Sequence, residues 1–219
     1  MPQASSQASN QASGTACDLR RLVDFAEPRL DDTCLDIATG TSSVLAAAIR
    51  PRVRELTSAT AVALPSGRFT LVTARLALGR SEDQIGLVRD LLEVCAGRLI
   101  LADLVRTRAG DGGHIERLRD PAHTTMRTKT ELVELLRRAG GWTRRLELFT
   151  IERPIEPWLA EARDPDRIRR ELTDELDGGP VTGARPRLIG SELWFAQSWA
   201  YFAVEPLSRP HRAPAPPPR

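Results

Sequence analysis

Residues 33–49 read TCLDIATGTSSVLAAAI, from Thr33 to Ile49. The apolar run Thr33 to Ala38 has the length of a short strand. Gly40, within Thr39 to Ser42, supplies the turn, and Ser43 to Ile49 is rich in helix formers. The segment therefore predicts a strand, a tight turn and a helix in succession.

The same alternation extends in both directions. A helical pattern over Asp18 to Ala26 precedes it, and strands are predicted at Val53 to Thr57, Phe69 to Ala74, Arg98 to Asp103 and Leu146 to Glu152. Helical patterns at Asp83 to Cys95 and Thr130 to Ala139 separate the later strands. Strands alternating with helices argue for an α/β fold, a doubly wound and mostly parallel sheet covered on both faces. The aromatic-rich run Leu193 to Val204 reads as an antiparallel final strand beside its predecessor. Between them, Glu156 to Ala162 and Pro165 to Leu176 form charged helices, a small helical cap over about 155–177. The stretch Arg106 to Thr128, with Gly110, Gly112 and Gly113, reads as a long irregular loop beyond a strand's carboxyl end, where ligand contacts gather in such sheets.

At 219 residues and 41% hydrophobic content, the chain suits one domain, expected over 17–206. Residues 1–16 are polar and low in complexity, and 207–219 end in RPHRAPAPPPR; both are expected to be disordered. Charged residues make up 27% with a net charge of +2 and interspersed signs, so nucleic acid is not an expected partner. Cys17, Cys34 and Cys95 are far apart, and no Cys/His cluster has metal-ligand spacing, so no metal is expected. No stretch has signal-peptide or membrane-span character, which gives a cytoplasmic expectation without a membrane partner.

The segment Cys34 to Gly40, CLDIATG, followed by a helix, resembles the cofactor-binding first strand and turn of class I S-adenosylmethionine (SAM) methyltransferases, with Asp36 and Gly40 matching. Two further segments resemble that family. Ala61 to Ala77 (AVALPSGRFTLVTARLA) is similar to the stretch before and along its fourth strand. Leu118 to Gly140, with RDPAH and then a helix ending in Ala-Gly, is similar to the ubiquinone/menaquinone-type small-molecule subgroup. Together they cover roughly Asp18 to Val204 and imply the Rossmann-like methyltransferase fold.

Measured against that resemblance, the cofactor site is degenerate. Ser42 stands where the turn usually has its second glycine, Thr57 where the second strand ends in a ribose-binding acid, and Thr60 where an acid meets the adenine amino group. Phe69-Thr70 replaces the Phe-Asp of the fourth strand, and Glu55 is a poor substitute for the missing acid. Chain length adds to this. From Gly40 to Phe69 there is room for one crossover helix, one strand and a loop, whereas the family pattern needs a second helix and a third strand. The sheet is expected to lack one edge strand and one crossover helix. Asp36, Gly40, Ser42 and Glu55 would then be a vestigial cofactor site.

Three functions follow as alternatives. The first is a cofactor-independent cyclase, including a pericyclase, or an isomerase acting on a hydrophobic secondary-metabolite intermediate such as a polyketide, as in methyltransferase-like cyclases of natural-product pathways. The second is a SAM-dependent small-molecule methyltransferase with a divergent site. The third is a non-catalytic ligand-binding or scaffold relative. A hydrophobic small molecule is the expected partner, with a homodimer also open. His123, after Arg119-Asp120-Pro121, could move a proton near neutral pH or fix its loop through a backbone carbonyl. Arg75 could bind a substrate carbonyl or pair with Asp103 or Asp36, and Asp120 could act in catalysis or turn the chain before Pro121. Arg119, His114, Trp158 and Met126 complete the candidate substrate contacts, although a tryptophan in such a cap more often packs than binds.

Overall fold

The computed structural model describes residues 19–38, 44–106, 112–123 and 125–207. Strand β1 (Thr33–Ile37) lies between β2 (Glu55–Ala59) and β3 (Phe69–Arg75) and is parallel to both. Strand β4 (Cys95–Leu104) continues the parallel set beside β3. The last strand, β7 (Glu192–Pro206), enters antiparallel between β4 and β5 (Gly141–Pro154), and β6 (Arg187–Ile189) makes a hairpin with its start. The order β2-β1-β3-β4-β7-β5 leaves β2 at the edge. The edge strand that chain length could not accommodate is absent among the described residues. Only residues 60–68 return from β2 to β3, with Ala61 and Leu64 packed against the core.

Helices cover both faces. On one, α3 (Gln84–Val94) and α5 (Lys129–Arg138) bury Leu87, Val88, Leu91, Leu132, Leu135 and Leu136 against Leu35, Val72, Leu101 and Phe202. On the other, α1 (residues 19–26) and α2 (Val44–Ile49) cover Cys34, Leu71, Ile100, Trp199 and Tyr201. These alternating strand positions explain the two layers, because successive side chains point to opposite faces. Local sequence starts the helices where expected. Asp83 caps α3 by accepting from the Gly86 N–H, and Thr128 and Glu131 form a reciprocal capping box on α5.

A third cluster forms the cap. Here α4 (Gly112–Arg119), α6 (Ile155–Leu159) and α7 (Pro165–Leu176) bury Ile115, Ile155, Trp158, Leu159, Ile168 and Leu172 around Phe195 of β7. The stretch expected as irregular loop thus contains α4, whose Ile115 and Leu118 face this cluster. The paired glycines Gly112-Gly113 concealed its start. The second strand also runs two residues later than Val53 to Thr57, because Thr33 pairs with Glu55 and Ile37 with Ala59.

At the amino ends of the strands, Arg98 of β4 pins α1 to the sheet. Its guanidinium donates to the carbonyls of Ala26 and Glu27 and to both Asp32 carboxylate oxygens, at 2.7 and 3.3 Å. Burial raises the Asp32 pKa, but hydrogen bonds from Arg98, the Thr70 hydroxyl and the Arg29 N–H outweigh it and leave the carboxyl below its ordinary range. This contribution is present above the ordinary carboxylate range and is lost as pH falls through the lowered value. Asp32→Asn is expected to cost about 2 kcal/mol in urea unfolding at pH 7, with the deficit shrinking toward pH 3.

Candidate active site

The carboxyl ends of the parallel strands hold the positions where the resemblance implies a cofactor. Asp36 near the end of β1 is buried and accepts from the Thr73 hydroxyl of β3 at 2.6 Å. Cys34 on the same strand has its thiol pushed up to about 12 by burial and the nearby Asp36 charge, so it is an inert apolar residue. Gly40 and Ser42 lie outside the described residues. Edge strand β2 ends in Ala59, followed by Thr60, so neither Thr57 nor a carboxylate stands at its carboxyl end. Glu55 starts that strand opposite Thr33, about 13 Å of strand from Ala59. It belongs to the other end of the sheet, which removes it from the vestigial cofactor set. Among the described residues, β2 is the edge of the sheet and no further strand flanks it.

One polar network ties β3 to β4. Asp103, near the end of β4, is 3% exposed and accepts from the Leu78 and Gly79 N–H groups at 2.9 and 3.4 Å and from the Leu104 N–H at 2.9 Å. Burial pushes its carboxyl up to about 6, although these three N–H groups and the charge of Arg75 pull downward. Arg75, at the end of β3, lies 4.9 Å above the Trp199 ring, and its charge acts on Asp103. Leu76, next in sequence, has φ +56° and donates to the Ala102 carbonyl, a strained conformation for a side chain of its size.

His123 rests on this network. Its ring lies directly over Gly79, so close that a β-carbon there would sit 2.3 Å from Cε1. The residue is 5% exposed, and its Nε2 has no hydrogen-bond partner among the described residues. Burial, then the charge of Arg80, lowers its pKa against the opposing pull of Asp120, so the ring is neutral at pH 7. Asp120 turns the chain: its Oδ1 accepts from the Ala122 N–H at 3.0 Å, and its backbone carbonyl accepts from the His123 N–H. Its Oδ2 accepts from Arg80 at 2.6 and 2.9 Å. Among the described residues, the His123 loop is fastened through Asp120.

Three of the expected substrate contacts, Arg119, Trp158 and His114, make contacts within the cap. Arg119 donates to the Trp158 carbonyl and to Glu161, and its guanidinium stacks 5.1 Å from the Trp158 ring. Trp158 packs on Phe195 with ring centroids 4.6 Å apart. His114 pairs with Glu171 of α7 at 2.7 Å. These three residues hold α4, α6 and α7 together. Met126 of that group lines a cavity.

That cavity, about 30 Å³, lies beyond the end of β4 and is lined by Arg106, Ile115, Met126, Phe195, Glu116 and Gln197, among others. Glu116 is 7% exposed and accepts from the Gln197 amide N–H. Burial pushes its carboxyl up to about 7 against the pull of the Gln197 bond and the charges of Arg119 and Arg153. Sequence reasoning missed both residues. The available signal was Gln197, a lone amide between Phe195 and Trp199 on the inward side of an apolar strand. Glu116 on a charged helix gave none.

No protein-family model and no curated protein sequence matches the chain. Solved structures do match. A Bacillus halodurans C-125 structure, provisionally described as a methyltransferase, shares 22% identity with a TM-score of 0.71, over 85% of this chain and 97% of that one. A SAM-dependent methyltransferase from Geobacter sulfurreducens, in complex with S-adenosyl-L-homocysteine, shares 13% with a TM-score of 0.52, over 86% and 90% of the two chains. The 4+2 cyclase SpnF shares 18% with a TM-score of 0.50, over 90% and 82%. The fold is that of the class I SAM-dependent methyltransferases, as the sequence resemblance implied.

Proposed function

On a methyltransferase fold with the adenosine half of its cleft unwalled, we propose that this chain is a cyclase or isomerase of a hydrophobic small molecule, working without a bound cofactor. The observation that carries this reading is the edge strand β2, which ends in Ala59 and is followed by Thr60 where the family resemblance implies a carboxylate. That the same fold serves a 4+2 cyclase is consistent with it. Such a reaction needs no nucleophile. A shaped apolar pocket lowers the barrier by holding the reactive conformer, and a donor near a developing oxyanion adds electrostatic stabilisation. Met126, Ile115 and Phe195 offer apolar wall, with Ile115 supplied by helix α4 of the cap. A divergent methyltransferase is the second reading, favoured by the buried Asp36 at the end of β1.

Calorimetry with S-adenosyl-L-homocysteine separates the two. No saturable heat is expected at ligand concentrations up to about 1 mM, which corresponds to binding weaker than about −4 kcal/mol. Micromolar affinity would sink the cofactor-independent reading.

A further inference from the structure

We propose that Glu116 and Gln197 form a subsite for the oxygen-bearing end of the substrate, in which the Glu116 carboxyl donates to a carbonyl and Gln197 Oε1 accepts from a neighbouring hydroxyl. This deepens the small-molecule reading above and rests on it. The chemistry recognised is a β-hydroxycarbonyl or the enol form of a 1,3-dicarbonyl, the groups that present an acceptor and a donor side by side.

Geometry supports this. The cavity lies between the end of β4, helix α4 and the start of β7, with apolar wall from Ile115, Met126 and Phe195. Glu116 and Gln197 are both 7% exposed. The Gln197 amide nitrogen is committed to Glu116, while its oxygen has no hydrogen-bond partner among the described residues. A buried amide oxygen left unpaired costs about 1–3 kcal/mol, which a ligand donor would recover. The flanking backbone is already paired, Val105 N–H to the Ser198 carbonyl at 2.9 Å and Ala196 N–H to the Ala184 carbonyl at 2.7 Å. Among the polar side chains that line the cavity, Glu116 and Gln197 are the buried ones, beside the less buried Arg106 and Ser198. At about 30 Å³ the space takes an end group and not a whole molecule.

The charged groups around Glu116 are mixed. Arg119 on its own helix and Arg153 of β5 favour the carboxylate, Asp120 opposes it, and Arg106 lines the cavity at the end of β4. His114, earlier on α4, is engaged with Glu171. Burial prevails over the arginines, so the donor form persists to about pH 7.

Acetylacetone, a 1,3-dicarbonyl that enolises in water, is the probe. In protein carrying carbon-13 at its glutamate carboxyls, the Glu116 signal is the one lost in Glu116→Gln. At pH 6 that signal is expected to shift saturably with acetylacetone, and Gln197→Leu should raise the half-saturation concentration at least tenfold. No saturable shift, which means water alone fills the cavity, overturns the proposal. So does a Gln197→Leu protein whose half-saturation stays within twofold. If Glu116→Gln does not fold, Gln197→Leu with an unchanged thermal melt carries the test, the Glu116 signal then being assigned by its titration near pH 7. Calorimetry with S-adenosyl-L-homocysteine addresses the other cleft. Its binding beside a saturable acetylacetone shift would remove the cofactor-independent reading and leave the subsite standing.

Discussion

Glu116→Gln is expected to be more stable than the parent protein at pH 8, by on the order of 3 kcal/mol, and close to it at pH 5. The sign follows from proton binding. Burial raises the Glu116 carboxyl from 4.5 in a model peptide to about 7 in the fold, so between those values the folded protein holds a proton that the unfolded chain has released. Stability is therefore fully present below the unfolded value and is lost as pH rises through about 7. Glutamine keeps the acceptor for the Gln197 N–H and has no charge to bury, so it removes the alkaline loss. Asp103, raised to about 6, pushes stability the same way in both proteins and cancels in the difference. Urea unfolding at pH 5 and pH 8 measures the effect, and a difference that stays constant across that range would contradict it. Against a total stability of about 5–15 kcal/mol for a domain, the gain is large.

Gly79→Ala is expected to destabilise the protein by about 3 kcal/mol, the upper end for overpacking a filled interior. The new methyl would meet Cε1, Nδ1 and Nε2 of His123 at 2.3, 2.7 and 3.1 Å. The turn cannot retreat easily, because the Asp103 carboxylate holds the Leu78 and Gly79 N–H groups from below. The imidazole must leave, and with it the packing of the 120–123 turn. In the His123→Ala background the same change should cost under about 1 kcal/mol, since the space is already cleared. Equal costs in the two backgrounds would mean that His123 is not what fills the site. Thermal melts of the four proteins supply the cycle.

Much of the architecture was legible from the chain. Strand and helix alternation gave the doubly wound sheet, and the antiparallel run at Leu193 to Val204 was found as β7 beside β5. Periodicity reports which face a residue takes, and an aromatic-rich strand inserted late has few other places to pair. Boundaries moved where hydrogen bonding, and not composition, ended an element. Strand β2 continues to Ala59 because Ala38 N–H still donates to the Ala59 carbonyl, although Ser58 and Ala59 carry little strand signal.

The candidate site was read less completely. Arg119, His114 and Trp158 attracted attention as residue types that bind ligands, yet in the fold their polar groups are used among the cap helices. Glu116 and Gln197 are 81 residues apart, and neither is distinctive in its own segment.

What the sequence determined by itself was a sheet covered on both faces, the want of room for one edge strand between Gly40 and Phe69, and the lack of an acid after the second strand, since these depend on periodicity, chain length and residue identity. Only the tertiary structure decided that Glu55 lies at the wrong end of the sheet, that His123 is a buried neutral ring on Gly79, and that Glu116 meets Gln197 in a cavity. Those outcomes depend on register and burial, which are set by packing between segments distant in the chain and shift a carboxyl's proton affinity through the water that packing excludes.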